Sequence, residues 1–310
     1  MGKRIVVEDR SAYFNLPWMV ARDEGLLEKE GLDISFVPPA NRPGIWGPQP
    51  SVDHKEVDSF RGHVVFEEGT IDLFNACEWG QIKRSQDSKS GGAIIAKRPA
   101  VAVMGLYSAP GSEIFVPQDL RNKEVAVSFH NGSHYAALQM LEGFLGRDEI
   151  KLVHFDQTPR PENGRLVPFR RYEALMNGEV SAAALMEPWN SLAEKNGCNR
   201  IIETFFYGSD IGSQNLDYET YEGINRAIRE AVRRINADKS KYLHYLIQEV
   251  PSELGALTPE DFTLSRIRFI DPRPYSKEEF DKTYEWMLGW GLVDADTPFE
   301  ALVDNRIAVS

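Results

Sequence analysis

The chain has 310 residues, 42% of them hydrophobic and 26% charged, and carries a formal net charge of -12. That length suits two lobes with separate cores, and an acidic surface repels phosphate backbones, which excludes nucleic acid as a partner. Apolar runs such as Val101-Ala102-Val103-Met104-Gly105-Leu106 are far too short to span a bilayer, which excludes membrane insertion.

In chain order, short apolar runs alternate with stretches of helical period. The pattern predicts strands at 4–8 and 33–37 around a helix at 16–29, then a strand at 71–75 running into a helix at 78–86. A strand at 100–107 follows, then a strand–helix pair at 124–128 and 133–145. Next come a strand at 151–155, a helix at 169–177, a strand at 181–186, a helix at 188–196 and a strand at 200–205. Beyond residue 215 the pattern is mostly helical, through 234, at 240–249 and at 276–290. This alternation defines an α/β class. Residues 37–51, VPPANRPGIWGPQPS, are too rich in proline and glycine for a helix or central strand and predict an ordered loop or lid.

The two cysteines, Cys77 and Cys198, form neither a CxxC spacing nor a disulfide framework. The opening MGKRIVVEDRS meets acidic residues after three apolar positions, so it contains no signal-peptide core. The expected location is cytoplasmic as written, or periplasmic if a leader has been removed. No phosphate-binding, dinucleotide-binding, zinc-protease or nucleophile-elbow motif occurs. His130 and His134 stand four apart, but no third ligand accompanies them, so neither a metal nor a cofactor is expected.

In an open α/β sheet, ligands collect at the carboxyl ends of strands, where helix N-termini present unpaired N–H groups. Four loops at such ends are rich in side chains that recognise ligands. They contribute Tyr13, Phe14, Asn15 and Trp18; Asn75, Cys77, Glu78 and Trp79; His130, Asn131, Ser133 and His134; and Glu187 with Trp189. Each has a plainer role open to it. Asn131 or Ser133 caps a helix equally well, Glu187 suits a helix dipole, the tryptophans suit a core, and Cys77 suits a small buried hydrophobe. Together the loops predict a cleft that binds a planar, nitrogen-containing, partly anionic small molecule. Aromatic rings would stack on it, the 130–134 turn would take its anionic edge, and Glu78 and Glu187 its N–H edge.

Three stretches carry a family signal: YFNLPWMVARDEGLLEKEGLDISFV (13–37), VPQDLRNKEVAVSFHNGSHYAALQMLEGFL (116–145) and YEALMNGEVSAAALMEPWNSLAE (172–194). With the closing YSKEEFDKTYEWMLGWGLVDADTPFEALVD (275–304), they resemble the periplasmic solute-binding proteins for alkanesulfonates, taurine, nitrate and thiamine-pyrimidine precursors. The resemblance implies a two-lobed fold of the periplasmic-binding-protein type (type II) with an interlobe cleft. The expected lobes are 1–107 plus 206–310 and 108–205, and the implied partner, if the chain is exported, is an ABC transporter permease. Relative to that family, 38–70 is long and 206–217 is short.

The resembled fold also hosts enzymes, a thiamine-pyrimidine synthase and an aromatic sulfinate desulfinase. Where the synthase has a lysine and a histidine this chain has Ala76 and Gly80, and where the desulfinase has a cysteine it has Ser11-Ala12. His63 stands loosely where the desulfinase has a histidine. The alternative to a binder is therefore a cytosolic lyase or hydrolase acting on a small aromatic or heterocyclic compound. In that case Cys77, Glu78, His63 and His130 are the catalytic candidates.

Overall fold

The structure, a computed structural model, describes residues 3–38, 48–49, 52–159, 166–167, 169–294 and 297–308. Most of the expected lid at 37–51 therefore lies outside the described residues.

Strand β1 (Lys3–Glu8) leads into α1 (Ala12–Asp23), a short α2 (Leu26–Lys29) and β2 (Leu32–Val37). The helix predicted at 16–29 starts four residues earlier and is broken at Gly25, whose φ of 68° is left-handed and open to glycine without strain. Pro48–Gln49 (β3) pairs at the sheet edge, followed by α3 (Val64–Glu67), β4 (Leu73–Cys77) and α4 (Glu78–Asp87). A long β5 (Ala93–Ser108) is followed by β6 (Glu124–Val127), α5 (Gly132–Leu141) and β7 (Lys151–Phe155). A two-residue ribbon, β8 (Thr158–Pro159) with β9 (Leu166–Val167), precedes α6 (Phe169–Met176), β10 (Ala182–Met186), α7 (Trp189–Lys195) and a long β11 (Asn199–Gly212). The chain ends in α8 (Tyr218–Ala237), α9 (Leu243–Ile247), α10 (Lys277–Gly289) and α11 (Phe299–Leu302). None of the described helices is long and apolar enough to cross a membrane.

The strands form a sheet ordered β2-β1-β4-β11-β5-β10-β6-β7-β3. Two parallel groups, β2-β1-β4 and β10-β6-β7, flank the antiparallel pair β5 and β11. Strands β5 and β11 are longer than the 100–107 and 200–205 predicted. Lys97, Arg98 and Asp210 interrupt the apolar pattern that sequence reading depends on. In the fold they are buried because they pair, Arg98 Nε donating to Asp210 Oδ1 at 2.6 Å. Register between the two strands jumps where Tyr207 faces Val101 and Gly208 faces Arg98. The skipped stretch contains Pro99, which has no N–H for the ladder. Strand β4 is buried at every position, as a central strand requires.

This architecture places two sets of carboxyl-end loops face to face. From the first group come the segment after β1 and the start of α4. From the second come the turn from β6 into α5 and the end of β10. Side chains of β5 and β11 form the floor between them.

Candidate functional site

Between the two sets of loops lies a cavity lined by Arg10, Ser11, Phe14, Cys77, Met104, Asn131, Gly132, Ser133, Gln157, Arg171, Met186 and Phe206. Its free space is about 40 Å³, room for a few waters, so an organic ligand can enter only when the walls part. One end is cationic and the other, at Phe14, Met104, Met186 and Phe206, is apolar. A larger, open space of about 820 Å³ lies beside residues 54–60. Its lining sets five carboxylates against three lysines, Lys83 pairing with Asp87 at 2.5 Å, so it lacks the excess positive charge of the smaller cavity.

Arg10 lies two residues beyond β1 and is only 6% exposed. It donates to Asn131 Oδ1 and Gln157 Oε1, each at 2.6 Å, and to His63 Nε2. A guanidinium can only donate, so Nε2 of His63 is unprotonated and the ring is neutral with its proton on Nδ1. That nitrogen donates to Glu8 Oε2 at 2.7 Å. Burial, helped by the charges of Arg10 and Arg84, holds the His63 pKa well below its ordinary value. Burial raises Glu8 to about 8 against the pull of the same two arginines.

Arg84, on α4, is 1% exposed and donates to Ser59 O, Gln81 Oε1, His130 O and Asn131 Oδ1. Arg171, on α6, is 3% exposed; it donates to Ala184 O at 2.9 Å while its Nε has no partner. Every acceptor these three guanidiniums reach among the described residues is neutral. Burial, with no carboxylate in contact, lowers Arg10 to about 10 and Arg171 to about 9. Other buried cations are matched: Lys97 with Glu78 at 2.7 Å, Arg98 with Asp210 at 2.6 Å and Arg266 with Glu194 at 2.6 Å.

The start of α5 closes the cationic end. Ser133 Oγ accepts the Ser128 N–H at 2.9 Å. A Cβ at Gly132 would meet Phe206 Cζ at 2.7 Å, so only glycine lets this turn approach the floor so closely.

Of the residues singled out in the sequence, Phe14, Cys77, Asn131 and Ser133 reach this cavity. The others do not line it. Tyr13 donates its hydroxyl to Val101 O, while Asn15 and Asn75 bond each other and tie α1 to β4. Trp18 lies against Arg98, Trp79 packs on Tyr135 and Phe206, and Trp189 donates to Glu249. His134 accepts the His130 N–H within a cluster of rings with Phe129 and His54. Glu187 accepts from Ser191 and faces Arg266, and burial raises it to about 7.

The four catalytic candidates are not assembled into one constellation. Glu78 is paired with Lys97 and His63 is 0% exposed with both nitrogens occupied. His130 donates Nε2–H to His54 O and borders the larger space, and burial lowers it to about 4. Cys77 alone reaches the cavity, at the entry to α4, and burial raises its thiol above the ordinary value.

Sequence reasoning missed Arg10, Arg171, Gln157, Met104, Met186 and Phe206. Arg10 was within reach, since it lies two residues past the carboxyl end of β1. Arg171 sits in the helix FRRYEALM, where nothing in the local pattern says which of two adjacent arginines turns inward.

The fold is that of periplasmic binding proteins, two-lobed α/β with an interlobe cleft. Over 98% of both chains it superposes on the alkanesulfonate-binding protein SsuA from Xanthomonas axonopodis pv. citri bound to MOPS, with a TM-score of 0.71 and 16% identity. The Candida albicans CA3427 gene product, described as exhibiting the generic periplasmic binding protein fold, matches at TM-score 0.65 and 10% identity over 98% of this chain and 96% of that one. A mutant of the desulfurization enzyme DSZB in complex with biphenyl-2-sulfinic acid matches at TM-score 0.65 and 14% identity, over 98% and 97% of the two chains. No family model matches the sequence, and none of the curated proteins matches it.

Proposed function

We propose that this protein binds a small organic anion in its interlobe cleft. The observation that carries the reading is the pair Arg10 and Arg171, buried on the cavity and touching no carboxylate among the described residues. Two buried charges without counterions cost several kcal/mol each, and an anionic head group would supply the missing charge. The ligand's apolar or aromatic body would then rest on Phe14, Met104, Met186 and Phe206. A planar ring suits those surfaces. A ring N–H would have to be read by Gln157 or Ser11, because Glu78 and Glu187 are committed elsewhere.

Entry requires the lobes to part. On this reading 1–107 with 206–310 and 108–205 swing about the long strands β5 and β11. If the chain is exported, the liganded form would present itself to an ABC transporter permease in the periplasm. The liganded neighbours favour the anion class, since one holds MOPS and another biphenyl-2-sulfinic acid.

An enzyme acting on such an anion is the second reading, favoured only by Cys77 lining the same cavity. A thiol whose pKa is raised by burial is a weak nucleophile at neutral pH. A thermal-shift panel of aryl sulfonates, sulfinates, carboxylates and neutral heteroaromatics tests the first reading, with Arg171→Gln alongside. Stabilisation by anions that is lost in the variant is expected. Stabilisation by neutral compounds alone contradicts it. Mass spectrometry of the same compounds after incubation with wild type and Cys77→Ala separates binder from enzyme.

A further inference from the structure

We infer that the head group this cleft selects is a doubly charged oxyanion, such as a phosphomonoester, in preference to a singly charged sulfonate, sulfinate or carboxylate. This deepens the anion reading above and rests on it. The reason is the balance of fixed charge around the cavity.

Two guanidiniums, Arg10 and Arg171, line it, and Arg84 on α4 stands behind Arg10; each is at least nine-tenths buried. Arg10 and Arg84 share one neutral acceptor, Asn131 Oδ1, at 2.6 and 3.2 Å. Against these three positive charges stands, among the described residues of this cluster, one buried carboxyl, Glu8, reached only through the neutral ring of His63 and held protonated by burial up to about pH 8. Among the described residues an excess of at least two positive charges remains.

The other charged groups nearby among the described residues do not cancel it. Asp156 is matched by Arg61 at 2.7 Å, and Asp9, partly exposed, accepts from the Asn15 amide at 3.2 Å. His154 bonds Asp156 and the Phe129 N–H, and Cys77 is a neutral thiol. Lys97, Arg98 and Arg266 carry their own carboxylates. A singly charged head would leave at least one buried positive charge uncompensated, and a dianion compensates one more. The partnerless Nε of Arg171 is a donor left for a third oxygen, and tetrahedral oxyanions suit several convergent donors.

The test compares phenyl phosphate with benzenesulfonate by isothermal titration calorimetry from pH 5 to 8, on the whole protein. A phosphomonoester acquires its second charge near pH 6, while the sulfonate stays singly charged throughout. The ratio of the two affinities cancels changes that act equally on both ligands, and repeating the comparison in Glu8→Gln removes the titration of Glu8, which acts more strongly on a dianion. The inference expects that ratio to favour phosphate at least tenfold at pH 8 and to fall about tenfold by pH 5. Arg171→Gln, folded by circular dichroism, is expected to lower phosphate affinity more than sulfonate affinity and so shrink the ratio. Equal or tighter binding of the sulfonate at pH 8, or a ratio flat with pH, overturns the dianion and leaves the anion reading standing. Binding of neither probe, nor of inorganic sulfate or phosphate, overturns both.

Discussion

Arg10 and Arg84, which lie in different elements, both donate to the single amide oxygen Oδ1 of Asn131, at 2.6 and 3.2 Å. Like charges are thus held together by a neutral group. This arrangement stores positive potential at the cleft, where a carboxylate in the same place would discharge it. Asn131→Asp makes that exchange with almost no change of shape. The variant is expected to be about as stable as wild type, because two buried guanidinium–carboxylate pairs offset the lost amide bonds to Ser128 Oγ and Phe129 O, and to bind organic anions at least tenfold more weakly. Urea unfolding and calorimetric titration of an aryl sulfonate read the two effects. A variant that keeps its anion affinity shows that the ligand lies elsewhere.

The buried Glu8–His63 pair gives the protein a signed pH dependence. Glu8 has an ordinary value of 4.5 that burial raises to about 8, so the folded state holds a proton that the unfolded state has released. Stability therefore falls as pH rises through that window. His63 acts in the opposite sense but only below its unfolded value of 6.5, because its folded pKa is depressed. Between pH 6.5 and 8 the carboxylates act alone, with Glu187, raised to about 7, adding to Glu8. Wild type is expected to lose stability across that interval, and Glu8→Gln to flatten the decline. Chemical denaturation at several pH values measures it, and identical slopes for the two proteins would show that Glu8 does not titrate as its burial demands.

Glu78 has a structural task, neutralising Lys97, whose ammonium sits 4.7 and 4.5 Å from the ring centroids of Tyr207 and Tyr275. Removing one partner of a buried pair costs about 3–5 kcal/mol. Glu78→Gln is expected at the lower end, because Glu279 lies 3.7 Å from the same ammonium, and to leave anion affinity within about twofold. A collapse of affinity at unchanged stability would instead make Glu78 a ligand-binding residue.

How far the sequence discloses this molecule depends on which physical signal each part uses. The α/β alternation and the position of β4 running into α4 follow from hydrophobic period, which is local. Residues 74–80, FNACEWG, turn from strand to helix at the cleft, but only Cys77 of their polar side chains lines it, because Glu78 is drawn to a lysine on another strand. Trp18 and Trp189 are core for the same reason that made them conspicuous, a large apolar surface. Arg10 and Arg171 stayed hidden because an arginine in sequence reads as a surface group. Only the three-dimensional count of carboxylates around them reveals that they lack counterions among the described residues, and that count depends on contacts 121 and 147 residues apart.

The central claim is that an anion sits between Arg10 and Arg171. Anomalous diffraction from crystals grown with 4-bromobenzenesulfonate tests it most directly. The account predicts sulfonate oxygens within hydrogen-bonding distance of both guanidiniums and the bromine among Phe14, Met104, Met186 and Phe206. A bromine peak confined to the larger space beside residues 54–60, with the cleft between the arginines free of the compound, would contradict it.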